Sequence, residues 1–162
     1  MRIVIRLPQV LVAIGLVSLG AVGLAAIAQH VFDMQPCPWC VLQRLIYIVV
    51  GVLALVAAAL PGLGRRLFIV LALLGTLCGL ASALWQQLHA VNEASCAMTL
   101  ADRIMTTLQL DSLLPQLFTA YASCADAAVS VLGIPFAVWS CLLYVILALL
   151  LVWSLRVSLK AR

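Results

Sequence analysis

The stretch QPCPWCVLQR, residues 35–44, places Cys37 and Cys40 two residues apart, with Arg44 four residues beyond the second cysteine. A C-x-x-C pair can close to a disulfide, exchange with another thiol, or hold a metal. Pro36 and Pro38 bracket Cys37 and stiffen the approach. Proline suits the first position of a helix. A helix beginning near Pro38 puts Cys40 in its first turn, where free N–H groups and the helix dipole favour negative charge. Arg44 then falls on the same helical face as Cys40, about 6 Å further along the axis at roughly 1.5 Å per residue. Its guanidinium would support a thiolate there, or steady negative charge developing on a bound electron acceptor. An arginine at the centre of a membrane helix costs of order 2.5–3.5 kcal/mol and less near its edge. The plain alternative is a side chain that snorkels to the lipid headgroups. The adjacent Gln43 and the dithiol itself favour a functional placement.

Four further cysteines follow: Cys78, Cys96, Cys124 and Cys141. Cys78 and Cys141 lie within long apolar runs, where cysteine packs as a small hydrophobe and its thiol is inert. Cys96 and Cys124 lie in the longest polar segment. Together with Cys37 and Cys40 they read as two disulfides or as one redox relay, and four cysteines allow three connectivities. Zinc is a third reading, but four-cysteine zinc sites usually show two close pairs. Here Cys96 and Cys124 are far apart in sequence, which suits a disulfide-closed loop better.

These residues are positioned by a chain that is 67% hydrophobic and 9% charged, a composition foreign to water-soluble domains. A spanning helix needs roughly 20 apolar residues. Four stretches qualify: Val10–Ala28, Val41–Leu60, Leu67–Leu88 and Ile134–Leu155. The expected fold is an all-α membrane protein, a four-transmembrane-helix bundle forming a single integral membrane domain over residues 1–162. Arg2, Arg6, Arg65, Arg66, Arg156, Lys160 and Arg162 all fall at one end of such a bundle. The positive-inside rule makes that end cytoplasmic, with both termini inside. The net charge of +4 is thus a topology signal; no basic cluster with interleaved aromatics suggests nucleic acid. The basic start and "AIAQ" at residues 26–29 also resemble a signal peptide, but the apolar run exceeds the roughly 7–15 residues of a signal core.

The outer side receives a short loop, 29–40, and a long one, 89–133, and all four outer cysteines lie in them. Disulfides persist outside a bacterial inner membrane. Within the long loop, Thr99–Gln109 reads as a short amphipathic helix, with Leu100, Ala101, Ile104, Met105 and Leu108 on one face. Ser112–Tyr121 repeats the pattern, with Pro115 near its start. Such stripes either lie on the membrane surface or pack on the tops of the spans. His30 and His89, just outside spans, read as solvated loop residues.

Four spans, "CPWCVLQR" opening the second, a cysteine pair across the long loop and "GIPFAVWS" opening the fourth resemble the DsbB family of membrane disulfide oxidoreductases over nearly the whole chain. Cys37, Cys40, Gln43 and Arg44 match the family's C-x-x-C and Gln-Arg pattern. The third span retains Trp85 and Gln87, but Ser82 and Ala83 stand where many relatives carry a basic pair.

The resemblance implies a quinone-dependent protein disulfide oxidoreductase, an enzyme of the bacterial inner membrane. A DsbA-like periplasmic protein of thioredoxin fold would reduce a Cys96–Cys124 disulfide. Cys124 would then attack Cys37 of a Cys37–Cys40 disulfide, and Cys40 would deliver electrons to ubiquinone or menaquinone. Arg44, Gln43 and Trp39 would contact the quinone, Trp39 by stacking unless it is an interfacial anchor. The rival expectation is a non-catalytic membrane protein whose two disulfides staple its outer loops.

Overall fold

The computed structural model describes residues 6–90, 99–127 and 129–160. Four long helices carry the fold: α1 (Leu7–Phe32), α2 (Pro38–Ala59), α3 (Gly62–Leu88) and α7 (Phe136–Lys160). Each is long and apolar enough to cross a membrane. Three short helices, α4 (Leu100–Thr107), α5 (Leu110–Leu113) and α6 (Pro115–Phe118), occupy the long connection between α3 and α7. A small hairpin pairs β1 (Ser130–Val131) antiparallel to β2 (Ile134–Pro135) just before α7.

The helix ends differ from the hydropathy boundaries for local reasons. α1 continues past Ala28 to Phe32, so the short outer loop shrinks to residues 33–37. Its end is marked by Asp33 in the left-handed region, φ 52°. α2 starts at Pro38, with Cys37 as its extended N-cap, as proline's fixed φ and missing N–H favour. Ile134 and Pro135 belong to the hairpin rather than to the last span. Leu132 and Gly133 between its strands both have positive φ, 55° and 79°, the backbone of a tight two-residue turn.

The second loop segment, Ser112–Tyr121, is not one amphipathic helix. It breaks at Leu114, φ −136° and ψ 66°, because the ring of Pro115 excludes helical geometry from the residue before it.

Within the bundle, α2 packs extensively on α1 and α3, α3 packs on α7, and the α1–α7 seam is thinner. The core runs through Leu11, Ile14, Tyr47, Ile69, Tyr144 and Leu151. Small residues set the spacing. A Cβ on Gly15 would stand 3.1 Å from the carbonyl oxygen of Gly51, and one on Gly51 would stand 3.2 Å from that of Gly15. Glycine at both positions lets the two helix backbones come that near. Leu16, Leu24, Leu74 and Leu149 point outward and are exposed, as expected where lipid replaces water. Cys78 is on this outward face and exposed, and Cys141 is half-buried. At the basic end, Arg65 donates to the carbonyls of Ala57 and Leu60, and Arg66 to that of Ser158. These bonds satisfy helix C-terminal carbonyls that otherwise lack partners.

Candidate redox site

At the opposite end, the first turn of α2 delivers the dithiol. Cys37 is fully buried and its Sγ stands 2.9 Å from that of Cys40. Cys124 is buried beside them in a cluster that includes Trp39, Ala101, Met105 and Phe118. The thiol of Cys37 hydrogen-bonds both Cys40 and Cys124, so the three sulfurs run in the order Cys124, Cys37, Cys40. Cys96 lies outside the described residues.

Several bonds bring Cys124 to this place. The backbone N–H groups of Tyr121 and Ala122 donate to the carbonyl of Pro36, at 3.0 and 3.4 Å. The Trp39 backbone N–H donates to the Cys124 sulfur. Helix α4, started by a capping box between Thr99 and Asp102, buries Ala101 and Met105 against the mouth of α2. Leu100 and Leu108 stay exposed, so only part of the expected apolar stripe packs on the spans.

The three thiols are not equivalent. The hydrogen bond from Cys37 holds the Cys124 thiol below its ordinary range, against burial and the charges of Cys40 and Asp102. The same contact, followed by the Cys40 contact and burial, pushes Cys37 strongly upward. Among free thiols the contact thus favours the thiolate of Cys124 and disfavours that of Cys37.

Span three supplies a residue that sequence reasoning missed. The Gln86 side-chain amide donates to Cys40 Sγ at 3.1 Å and to Cys37 Sγ at 3.3 Å. Its Oε1 accepts from Gln43 Nε2 at 2.7 Å. Trp85 is half-exposed and stacks on His89, with centroids 4.4 Å apart. The inward stripe is Thr76, Gly79, Ala83 and Gln86, all buried, and its spacing of three and four residues was available in the sequence.

Arg44 is buried and does not snorkel. Its Nη1 donates to Gln29 Oε1 at 2.6 Å and to the Leu117 carbonyl at 3.0 Å, and its Nη2 to the Ala25 carbonyl at 3.2 Å. Gln29 in turn donates to the Gln116 carbonyl at 3.4 Å. Three of the five guanidinium donors are thus spent on α1 and the loop. His30 and His89 are exposed, near the C-terminal ends of α1 and α3.

A cavity of about 230 Å³ opens beside the dithiol, lined by Cys40, Gln43, Arg44, Tyr47, Gln86 and Trp139 among mostly apolar side chains of α1 and α7. Trp39 is not among its lining residues; it packs under the loop with Cys124 instead. Tyr47 stacks face to face on Tyr144, centroids 4.2 Å apart. The Tyr144 hydroxyl donates to the Gln43 carbonyl at 3.2 Å. Among the described residues no group of three His, Cys, Asp or Glu side chains is arranged to hold a metal ion.

Four spanning helices around a dithiol that faces both a third buried thiol and an apolar cavity define a multi-pass membrane protein built for thiol–disulfide chemistry. The family model "Disulfide bond formation protein DsbB" matches residues 8–154. The chain belongs to the DsbB family, whose activity is oxidoreductive disulfide bond formation. It is 37% identical over 140 residues to "Disulfide bond formation protein B" of Ralstonia nicotianae, covering 86% of this chain and 87% of that one. The counterpart from Cupriavidus necator is 35% identical, covering 85% and 86%. "Disulfide bond formation protein B 1" of Pseudomonas syringae pv. syringae is 33% identical, covering 90% and 87%. No solved structure gives a significant match.

Proposed function

We propose that this protein reoxidises a DsbA-like periplasmic protein of thioredoxin fold and passes the electrons through two cysteine pairs to a membrane quinone. The observation that carries the reading is the shared position of Cys40: its sulfur contacts Cys37 on one side, and the residue lines the apolar cavity on the other. The bundle then sits in the bacterial inner membrane with both termini cytoplasmic and the dithiol at the periplasmic face, as the basic end formed by Arg65, Arg66 and Lys160 supports.

The steps are those that the family resemblance implies, and the contacts of Cys37 with Cys124 and Cys40 support them. The partner's thiolate attacks a Cys96–Cys124 disulfide at Cys96, and the electron pair of the broken S–S bond leaves on Cys124. Cys124, which leaves that bond as a thiolate, attacks Cys37. A Cys124–Cys37 bond forms, the Cys37–Cys40 bond breaks, and its electron pair leaves on Cys40. Exchange requires such a thiolate approach, and a leaving thiol of low pKa quickens it.

The cavity fits a quinone. Its walls are apolar, and the polar groups of Gln43, Arg44 and Gln86 gather beside Cys40. Gln43 and Arg44 would hold the carbonyl groups, with Tyr47 and Trp139 bounding the ring. When bound, a quinone supplies a two-electron acceptor that leaves through the bilayer. DsbA is itself known as a strong oxidant within a quinone-linked system, so a still stronger acceptor is needed to reoxidise it.

The test mixes the purified protein with reduced DsbA-type partner and either ubiquinone or menaquinone, and follows quinone absorbance beside a Cys40→Ser control. Loss of one quinone per partner dithiol, by the native protein alone, is expected. Unchanged quinone with partner thiols still reduced would favour two disulfides that merely staple the loops.

A further inference from the structure

We propose that Gln86 is a catalytic residue, its side-chain amide stabilising negative charge on Cys40 as the Cys37–Cys40 bond opens. This rests on the relay described above. The amide is 5% exposed and directs its nitrogen at both sulfurs of the pair, 3.1 and 3.3 Å away. A primary amide has two N–H donors, one for each sulfur. Neutral sulfur is a weak acceptor, and leaving a buried donor poorly satisfied is costly. The arrangement becomes favourable when one sulfur is charged, because hydrogen bonds to an ionised acceptor are roughly twice as strong. Charge falls on Cys40 when its bond to Cys37 breaks.

The amide cannot easily turn over. Its oxygen accepts from Gln43 Nε2, so nitrogen faces the sulfurs. Tyr144, its ring packed over Gly79, donates to the Gln43 backbone carbonyl and fixes α2 against α7 beside this pair. Span three thereby aims a neutral donor at the place where charge develops, as an oxyanion hole does in acyl transfer.

The reaction isolates one step. An attacking thiolate forms a bond to Cys37 Sγ, the Cys37–Cys40 bond breaks, and the electron pair goes to Cys40 as thiolate. Dithiothreitol is the reductant. The full chain in detergent, with Cys96 and Cys124 replaced by Ser, carries this one redox pair. Its opening rate is divided by the thiolate fraction of dithiothreitol at each pH.

Gln86→Leu is expected to slow opening roughly ten- to hundredfold, the scale of one hydrogen bond to a charged group. Gln86→Glu provides the readout that a purely structural tie would not move. Its protonated carboxyl can donate to sulfur, whereas its carboxylate repels a thiolate. The corrected rate of this variant should fall as pH rises through the carboxyl range, while that of the native side chain stays level. A Gln86→Leu rate within twofold of native would overturn the proposal, as would a level Gln86→Glu profile, whatever either does to the melting temperature. If Gln86→Leu does not fold, the Gln86→Glu profile decides alone. Neither quinone nor partner is present, so failure here is separable from failure of the quinone reading.

Discussion

At the scale of single residues, Cys124 and Cys37 share charge unequally when both are reduced. Both sulfurs are buried, yet one contact moves them oppositely: Cys124 down and Cys37 up. In fully reduced protein, alkylation of Cys124 by iodoacetamide should therefore persist at pH values below the ordinary thiol pKa of about 8.5. Cys37→Ala removes the stabilising contact, and the Cys124 profile should move to higher pH. An unmoved profile would show that another group controls Cys124. The sign carries to stability as well. A depressed folded-state value contributes stability above the unfolded pKa, and this is lost as pH falls through the folded one. The dithiol and Arg44 were legible in the sequence because cysteine spacing and a costly intramembrane charge are type-specific signals. Gln86 and Gln29 were not, since an uncharged amide on a span announces nothing until the inward face is known.

Individual elements were legible in their existence and less so in their ends. Four apolar runs gave four spans, because hydrocarbon thickness constrains length. The ends depended on local chemistry: left-handed Asp33 at the foot of α1, Pro38 at the head of α2, the hairpin before α7. Interhelical fit was illegible. Gly79 shows why. Replacing a mid-helix glycine by alanine ordinarily favours the helix by up to about 1 kcal/mol. Here an added Cβ would stand 2.3 Å from ring atoms of Tyr144, and that ring is fully buried and stacked on Tyr47. Overpacking costs typically 1–3 kcal/mol, so the clash wins. Gly79→Ala should lower the melting temperature in detergent, and Gly79→Ala with Tyr144→Leu should recover part of the loss. A Gly79→Ala protein as stable as native would show that α3 and α7 slide apart freely.

Across the whole molecule, the proposed relay takes electrons from the long loop to the cavity, which requires the loop to be docked with the accuracy of a bond. Arg44 joins the two regions. It lines the cavity, yet its guanidinium grips α1 at Ala25 and Gln29 and the loop at Leu117. Arg44→Met would remove three hydrogen bonds from a charged donor, one to buried Gln29 and two to part-buried carbonyls, each worth about 1.5–3 kcal/mol. Both ends of the path should suffer together. Trypsin should cut more readily at Arg103 in α4, and the KM for quinone should rise while partner binding changes little. Arg44→Lys retains the charge but lacks the planar fork, and one ammonium cannot reach acceptors on two segments with the same geometry. It should therefore restore quinone affinity in part and loop protection hardly at all. Equal rescue of both by lysine would mean that charge alone matters, and that the loop is held in place by Tyr121, Ala122 and the Cys124 contacts without Arg44.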